Sequence, residues 1–270
     1  MRNPSPGAGE QTFRPADSCA SVHEQTQTIA PAGGRCHNKD DLMQRYEFIF
    51  LDIDDTILDF GAAERAAYSG ALALHGIPCS EDLLERYRKV NVLWWEKMER
   101  GEADREEMLV DRHRDFFARE GIDADPAAFE ADYRRLLGIG HWFVEGAEEI
   151  LGWLRQRGCR LFIASNGVSD TQYSRIESAG IGPFFERIFI SEEIGFHKPD
   201  PGYFRYCFAQ IPGFDPERAL LIGDSLTSDI RGAKNAGIAS CWFNRSGKTA
   251  PPELRPDYEI TSLAQIKRFL

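Results

Sequence analysis

Short apolar runs and longer amphipathic stretches alternate along most of this chain. Residues 48–53, 160–164, 187–190, 219–223, 239–243 and 257–260 read as strands; the run 48–51 is short, apolar and rich in β-branched or aromatic residues. Helical periodicity fills the intervals at 146–157, 169–179, 201–210, 227–236 and 263–270. Gly158, Gly180 and Gly237 stand where three of these helices would end in a left-handed residue. Such alternation predicts an α/β fold, a doubly wound Rossmann-like parallel sheet. Ligands of these sheets bind outside the strands' carboxyl ends.

Two stretches break the alternation. Residues 62–144 read as consecutive helices (62–75, 81–100, 105–120 and 127–138) punctuated by Gly76, Gly101 and Gly121. This predicts an all-helical insertion, a cap at 62–144, in a core formed by 46–61 and 145–270. In its second helix Leu83, Leu84, Tyr87, Val90 and Trp94 follow a packing stripe. Residues 1–45 are rich in Pro, Gly, Ser, Thr and Gln, show no sustained period, and read as a disordered tail. Met43, just before the first strand, is a candidate start, which would make the tail an over-extended reading frame; the alternative is an accessory segment. A chain begun at Met43 is expected to match the full chain in thermal melts and in kcat/KM. A large loss of stability on truncation would show that the tail packs on the rest.

The candidate chemistry sits at the strand ends. Asp52-Ile53-Asp54-Asp55-Thr56 follows the first apolar run, and carboxylates this close repel one another unless a cation joins them. Strand alternation puts Asp52 and Asp54 on one side, about 6.5 Å apart along an extended backbone. That suits one group that attacks and a second that moves protons. The second strand runs into Ser165-Asn166-Gly167, whose O–H and N–H groups suit an anion; the following turn also reads as a capping box of Ser169 and Gln172. Lys198 is framed by Pro199 and by an Asp200-Pro201 helix start, which stiffen its backbone and aim its charge. The fourth strand ends in Gly223-Asp224, with Asp229 beyond, and two acids there suit a Mg²⁺ site of hard oxygens.

Taken in order, Asp52-x-Asp54-x-Thr56, Ser165, Lys198 and Gly223-Asp224-x-x-x-x-Asp229 resemble the four motifs of the haloacid dehalogenase superfamily of hydrolases, over roughly residues 46–270. Serine stands where the second motif more often has threonine. The resemblance implies a C1-type cap closing over the strand ends, and Asp52 as the nucleophile that forms an aspartyl phosphate. Asp54 would protonate the leaving alkoxide and then deprotonate the water. Mg²⁺ would be held by Asp52, the backbone carbonyl of Asp54, and Asp224, with Asp229 orienting the lysine or the metal's waters from outside that set. Ser165, the Asn166 backbone and Lys198 would hold the phosphoryl oxygens, and Thr56 would support the loop.

Asp54 favours phosphate chemistry, because displacement of halide needs no leaving-group proton; a phosphomutase would share all these residues. Three segments resemble the noncanonical pyrimidine 5′-nucleotidases: Val90-Asn91-Val92-Leu93-Trp94, Ser191-Glu192-Glu193-Ile194-Gly195 and Asn235-Ala236-Gly237-Ile238-Ala239-Ser240-Cys241-Trp242. The expected activity is therefore hydrolysis of a nucleoside 5′-monophosphate, with the Asn91 amide and the Trp94 face as base contacts. A sugar-phosphate or phosphoglycolate phosphatase is the alternative enzyme. A catalytically silent interaction protein on the same fold is the alternative of another kind, and the intact acids and lysine argue against it.

Composition narrows the partners. The net charge is −11, and residues 1–45 hold as many basic as acidic residues, so the deficit belongs to the predicted folded part. Such a surface disfavours polyanions, so nucleic acid is not an expected partner, whereas a small-molecule phosphate monoester is. No run approaches the ~18 apolar residues that span a bilayer, and no secretory signal is evident. The six cysteines form no C-x-x-C pair and read as reduced, buried thiols of a cytoplasmic protein, with a monomer and a homodimer both left open.

Overall fold

The structure is a computed structural model that describes residues 45–270. Except for Arg45, the predicted tail lies outside them, as do Met43, Cys19 and Cys36. Six parallel strands, β1 (Phe48–Leu51), β2 (Arg160–Ser165), β3 (Arg187–Ile190), β4 (Ala219–Gly223), β5 (Ala239–Phe243) and β6 (Tyr258–Ile260), form one sheet in the order β3-β2-β1-β4-β5-β6. All lie within two residues of the bounds expected from the apolar runs.

The central strand is apolar throughout because both of its faces are covered. Phe48 and Phe50 point to one face, with Phe162 and Leu221, and pack on Tyr203, Phe204 and Cys207 of a helix at Pro201–Ala209. Ile49 and Leu51 point to the other, with Ile163 and Ile222, and pack on Ile150, Leu151 and Leu154 of a helix at Ala147–Gln156. Cys159, Cys207 and Cys241 are buried thiols and Cys79 an exposed one. No helix among the described residues is long and apolar enough to cross a membrane.

Between β1 and β2 come four helices, α1 (Phe60–Leu74), α2 (Glu81–Glu99), α3 (Arg105–Glu120) and α4 (Pro126–Gly138), followed by α5 (Ala147–Gln156). Each of the first four starts at an acceptor side chain, Asp59, Ser80, Asp104 and Asp125, that binds a free amide of the first turn. They have an apolar cluster of their own around Tyr68, Tyr87, Phe116, Phe129 and Tyr133, with the Tyr68 and Tyr87 rings stacked at 3.6 Å. The later helices are α6 (Ser169–Ser178), α7 (Ser191–Ile194), α8 (Pro201–Ala209) and α9 (Arg231–Ala236).

Two expected helices differ in kind. The stretch 263–270 forms a 3₁₀ helix, Leu263–Arg268. The stretch 227–236 begins as a π turn, Leu226–Ile230, in which the Ser225 carbonyl accepts from both Asp229 N and Ile230 N. Such wide turns cluster at functional sites.

Candidate active site

The sheet order reverses between β1 and β4, and the acids gather at that point. Asp52 follows β1 and continues its ladder, its N–H donating to the Ile222 carbonyl at 3.0 Å. Ser165 ends β2 and Asp224 follows β4. Lys198 arrives from beyond β3 on the stiff turn its flanking residues predicted, with Asp200 capping α8 and Pro201 in its first turn. The Asn166 amide fixes this turn: its Oδ1 accepts from Lys198 N at 2.8 Å and its Nδ2 donates to the Lys198 carbonyl at 2.9 Å.

Lys198 is almost fully buried, and its ammonium spends its three protons on Asp52 Oδ1 (2.7 Å), Asp229 Oδ1 (2.6 Å) and the Ala164 carbonyl (2.6 Å). Burial alone would lower its pKa, but Asp229 and Asp52 outweigh that and hold it above the ordinary lysine value. Ser225 N donates to the second oxygen of Asp229 at 3.0 Å. The π turn brings this carboxylate against the backbone of Gly223, where an added Cβ would sit 2.2 Å from Asp229 Oδ2. Only glycine fits there.

Carboxylate oxygens of Asp52, Asp224 and Asp229 lie within 4.8 Å of one another. Burial pushes the Asp52 carboxyl up to about 8, against the pull of Lys198 and with repulsion from Asp229 and Asp54. Asp224 is pushed well up by burial and then by Asp52, Asp229 and Asp55. Asp54 has its own cation in Arg175, and Asp55, at a left-handed φ of 57°, has Arg245 at 2.9 Å. Lys198 pairs with Asp52 and Asp229, and Asp224 has no ion-pair partner among the described residues, so the three carboxylates carry a surplus of two negative charges when all are ionised. Hard oxygen donors around such a surplus fit a divalent cation.

Asp54 is bound from α6. Arg175 Nη1 donates to its Oδ1, and Gln172 Nε2 donates to its Oδ2 at 2.8 Å and to Ser165 Oγ at 2.8 Å. Gly167 leaves room for Gln172, since a Cβ there would lie 2.6 Å from its Nε2. The expected capping box of Ser169 and Gln172 does not form: Val168 is the cap residue, Ser169 lies inside the first turn, and Gln172 turns inward. Thr56 is fully buried, and its hydroxyl has no partner among the described residues.

The helical insertion meets the core above these groups. Arg105, the first residue of α3, donates to the carbonyls of Asn166 and Gly167, both at 2.9 Å, and to Ser191 Oγ at 2.6 Å. Glu99 accepts from Thr227 Oγ1 at 2.9 Å. Between the two parts lies a cavity of about 450 Å³ that reaches from Asp52, Asp54 and Lys198 to Val92, Trp95 and Tyr133.

Asn91 lines this cavity but is held in a buried network, donating to Glu64 Oε1 at 2.6 Å and accepting from Arg112 Nη1 at 2.8 Å. Arg112 also donates to Glu130 at 2.8 Å, which His113 meets at 2.7 Å. Trp94 is not among the lining residues. Its indole N–H donates to Asp115 at 3.4 Å, Lys97 sits 4.2 Å from its ring centre, and the ring packs among the helices. Helix geometry explains the exchange with its neighbour: Arg88, Asn91, Val92, Trp95, Glu96 and Glu99 recur at the spacing of one face, and that face lines the cavity.

A sheet of this order, acids at its reversal point and a helical insertion over them define a class of hydrolase. The haloacid dehalogenase-like hydrolase family matches residues 46–237, and the chain belongs to it. It is 42% identical over 228 residues to the HAD-hydrolase YfnB of Bacillus subtilis, covering 84% of this chain and 97% of that protein. A crystal structure of that protein bound to magnesium, which reveals interdomain movement, superposes with a TM-score of 0.80 and covers 84% of this chain and 99% of the other. The pyrimidine 5′-nucleotidase PynA of Streptococcus pneumoniae is 33% identical over 80% of this chain and 92% of its own length. The glyceraldehyde 3-phosphate phosphatase of Pyrococcus furiosus is 30% identical over 84% of this chain and 94% of its own length.

Proposed function

We propose that this protein is a Mg²⁺-dependent phosphomonoester hydrolase that works through an aspartyl phosphate on Asp52, with a pyrimidine nucleoside 5′-monophosphate as substrate. The observation that carries the reading is the pair of carboxylates with separate partners, Asp52 on Lys198 and Asp54 on Arg175 and Gln172, at one mouth of one cavity. Different partners suit different tasks.

Asp52 attacks phosphorus in line, and the bond to the ester oxygen breaks as the Asp52–phosphorus bond forms. Asp54 gives its proton to the departing alkoxide, then takes one from the water that cleaves the aspartyl phosphate. Ser165, the Asn166 backbone and Lys198 hold the phosphoryl oxygens. Asp52, the Asp54 carbonyl and Asp224 would hold Mg²⁺, which when bound neutralises the surplus charge and shields the phosphate from its nucleophile. Asp229 orients Lys198. Chelation is expected to silence the enzyme and Mg²⁺ to restore it; full activity in thoroughly chelated protein would remove the metal from the account.

The cavity, about 450 Å³, lies within the ~300–1,000 Å³ range of small-molecule sites, and its cap end sets apolar side chains such as Val92, Trp95 and Leu109 among charged ones such as Arg88, Arg112 and Glu130. Trp95 offers a ring for a base to stack on, and Asn91 and its network offer an edge to recognise. The likeness to PynA favours the pyrimidine reading, and the likeness to a glyceraldehyde 3-phosphate phosphatase supports a sugar-phosphate phosphatase as the second. Comparing kcat/KM for dUMP, dTMP, UMP, dAMP, phosphoglycolate and glyceraldehyde 3-phosphate decides between them. A wide margin for either of the last two would sink the nucleotidase. Stacking on an aromatic side chain is worth about 1–3 kcal/mol, so Trp95→Ala is expected to lower kcat/KM for dUMP roughly 5- to 150-fold. Trp94→Ala should keep the nucleotide preference and lower the melting temperature; the reverse pattern would return the base contact to Trp94.

A further inference from the structure

Arg175 has a place that stability alone does not explain. Its side chain is 1% exposed, while the carboxylate of Asp54 that it meets is 31% exposed and faces the cavity. Taking a guanidinium out of water to meet a half-solvated acid is a poor source of stability, because desolvation offsets most of the attraction. The guanidinium is also fixed from behind. Its Nε donates to the Gly140 carbonyl at 3.1 Å, on the segment returning from α4 to α5, and Nη1 donates also to Gln172 Oε1 at 3.0 Å. Gln172, equally buried, spans from Asp54 to Ser165. Each oxygen of Asp54 thus has one fixed donor and keeps acceptor capacity for one more group.

We infer that Arg175 and Gln172 are positioning residues that aim the Asp54 carboxyl at the leaving oxygen of the substrate. The inference rests on the phosphatase reading above. In the first step the phosphorus–oxygen bond breaks, and the proton of Asp54 moves to the departing oxygen, leaving Asp54 ionised. An alkoxide needs that proton; an aryl oxide leaves without it. The ratio kcat/KM reads only the steps through departure of that group, so later hydrolysis of the aspartyl phosphate does not enter it.

The test compares kcat/KM for dUMP and p-nitrophenyl phosphate in Mg²⁺ for the wild type, Asp54→Asn, Arg175→Met and Arg175→Lys. Positioned proton transfer is worth about 10²–10⁴-fold. Asp54→Asn and Arg175→Met are both expected to lose at least ~100-fold on dUMP and less than ~10-fold on the aryl ester. Arg175→Lys, which keeps a donor and a charge, should recover part of the loss on dUMP. Equal losses of Arg175→Met on both substrates, or no loss on either, would overturn the inference and leave Arg175 a structural residue. If Arg175→Met does not fold, Gln172→Met carries the same comparison with the same criterion. Equal losses in Asp54→Asn itself would instead overturn the proton-carrier role of Asp54. A wild type without phosphatase activity would overturn the phosphatase reading, and this inference with it.

Discussion

Asp52→Asn is expected to lose turnover by ~10⁴-fold or more, the order seen when a hydrolase loses its covalent nucleophile, while its fold persists. An amide cannot form the aspartyl phosphate, yet its oxygen can still accept from Lys198, so the packing around 52 need not change. Stability should rise. The Asp52 carboxyl is pushed up to about 8, chiefly by burial, above its value in an unfolded chain, so folding favours the protonated form. The ionised group is therefore no burden below about pH 4 and an increasing one as pH climbs through 8. In chelated protein the melting temperature of Asp52→Asn should exceed that of the wild type, by a margin that widens from pH 5 to pH 8. Near-wild-type turnover in the variant would remove Asp52 as nucleophile. A margin that shrinks over this pH range would contradict the electrostatic account.

Lys198→Met is expected to damage both activity and stability. The ammonium satisfies Asp52, Asp229 and the Ala164 carbonyl together, inside a space with almost no solvent. Removing one partner of a buried ion pair costs about 3–5 kcal/mol, because the other charge stays buried. At ~2–4 °C per kcal/mol for a chain of this size, the melting temperature should fall by roughly 6–20 °C. In the proposed mechanism Lys198 also holds a phosphoryl oxygen, so its loss is expected to add a drop of about 10²–10³-fold in kcat. Lys198→Arg should not rescue, since a planar guanidinium cannot reproduce three acceptors arranged around one nitrogen. A Lys198→Met protein that melts and turns over like the wild type would show that the ammonium is idle.

Much of the framework was legible in the sequence, because it rests on local signals. A strand covered on both faces appears as an unbroken apolar run, which is why β4, buried at every position, falls where the hydropathy puts it. Asp52, Asp224, Ser165 and Lys198 could be placed because each follows or ends such a run, or sits in a turn stiffened by Pro199 and capped by Asp200. What escaped depends on which way a side chain turns in three dimensions. Ser169 and Gln172 have the spacing of a capping box, yet the helix starts one residue earlier and Gln172 faces the acids. A signal was available, since Gln172 and Arg175 lie one turn apart on the face of α6 that also carries buried Ile176. Polar residues on a buried face need partners, and here the partner is Asp54. Trp94 belongs to the packing stripe of α2 with Tyr87 and Val90, so the same periodicity already pointed to Trp95 for the cavity. Arg105 and Glu99, charged residues that join the helical part to the core, left no comparable trace, because their partners lie far off in sequence.

In the proposed mechanism the phosphoryl group passes through Asp52. Enzyme quenched in acid while turning over dUMP or p-nitrophenyl phosphate in Mg²⁺, then digested and mapped by mass, should carry an acid-stable, alkali-labile phosphoryl group on the peptide that contains Asp52. The group should be absent from Asp52→Asn and from samples without substrate. Steady release of phosphate with no phosphorylated Asp52 at any quench time, or with the phosphoryl group on another residue, would contradict the account.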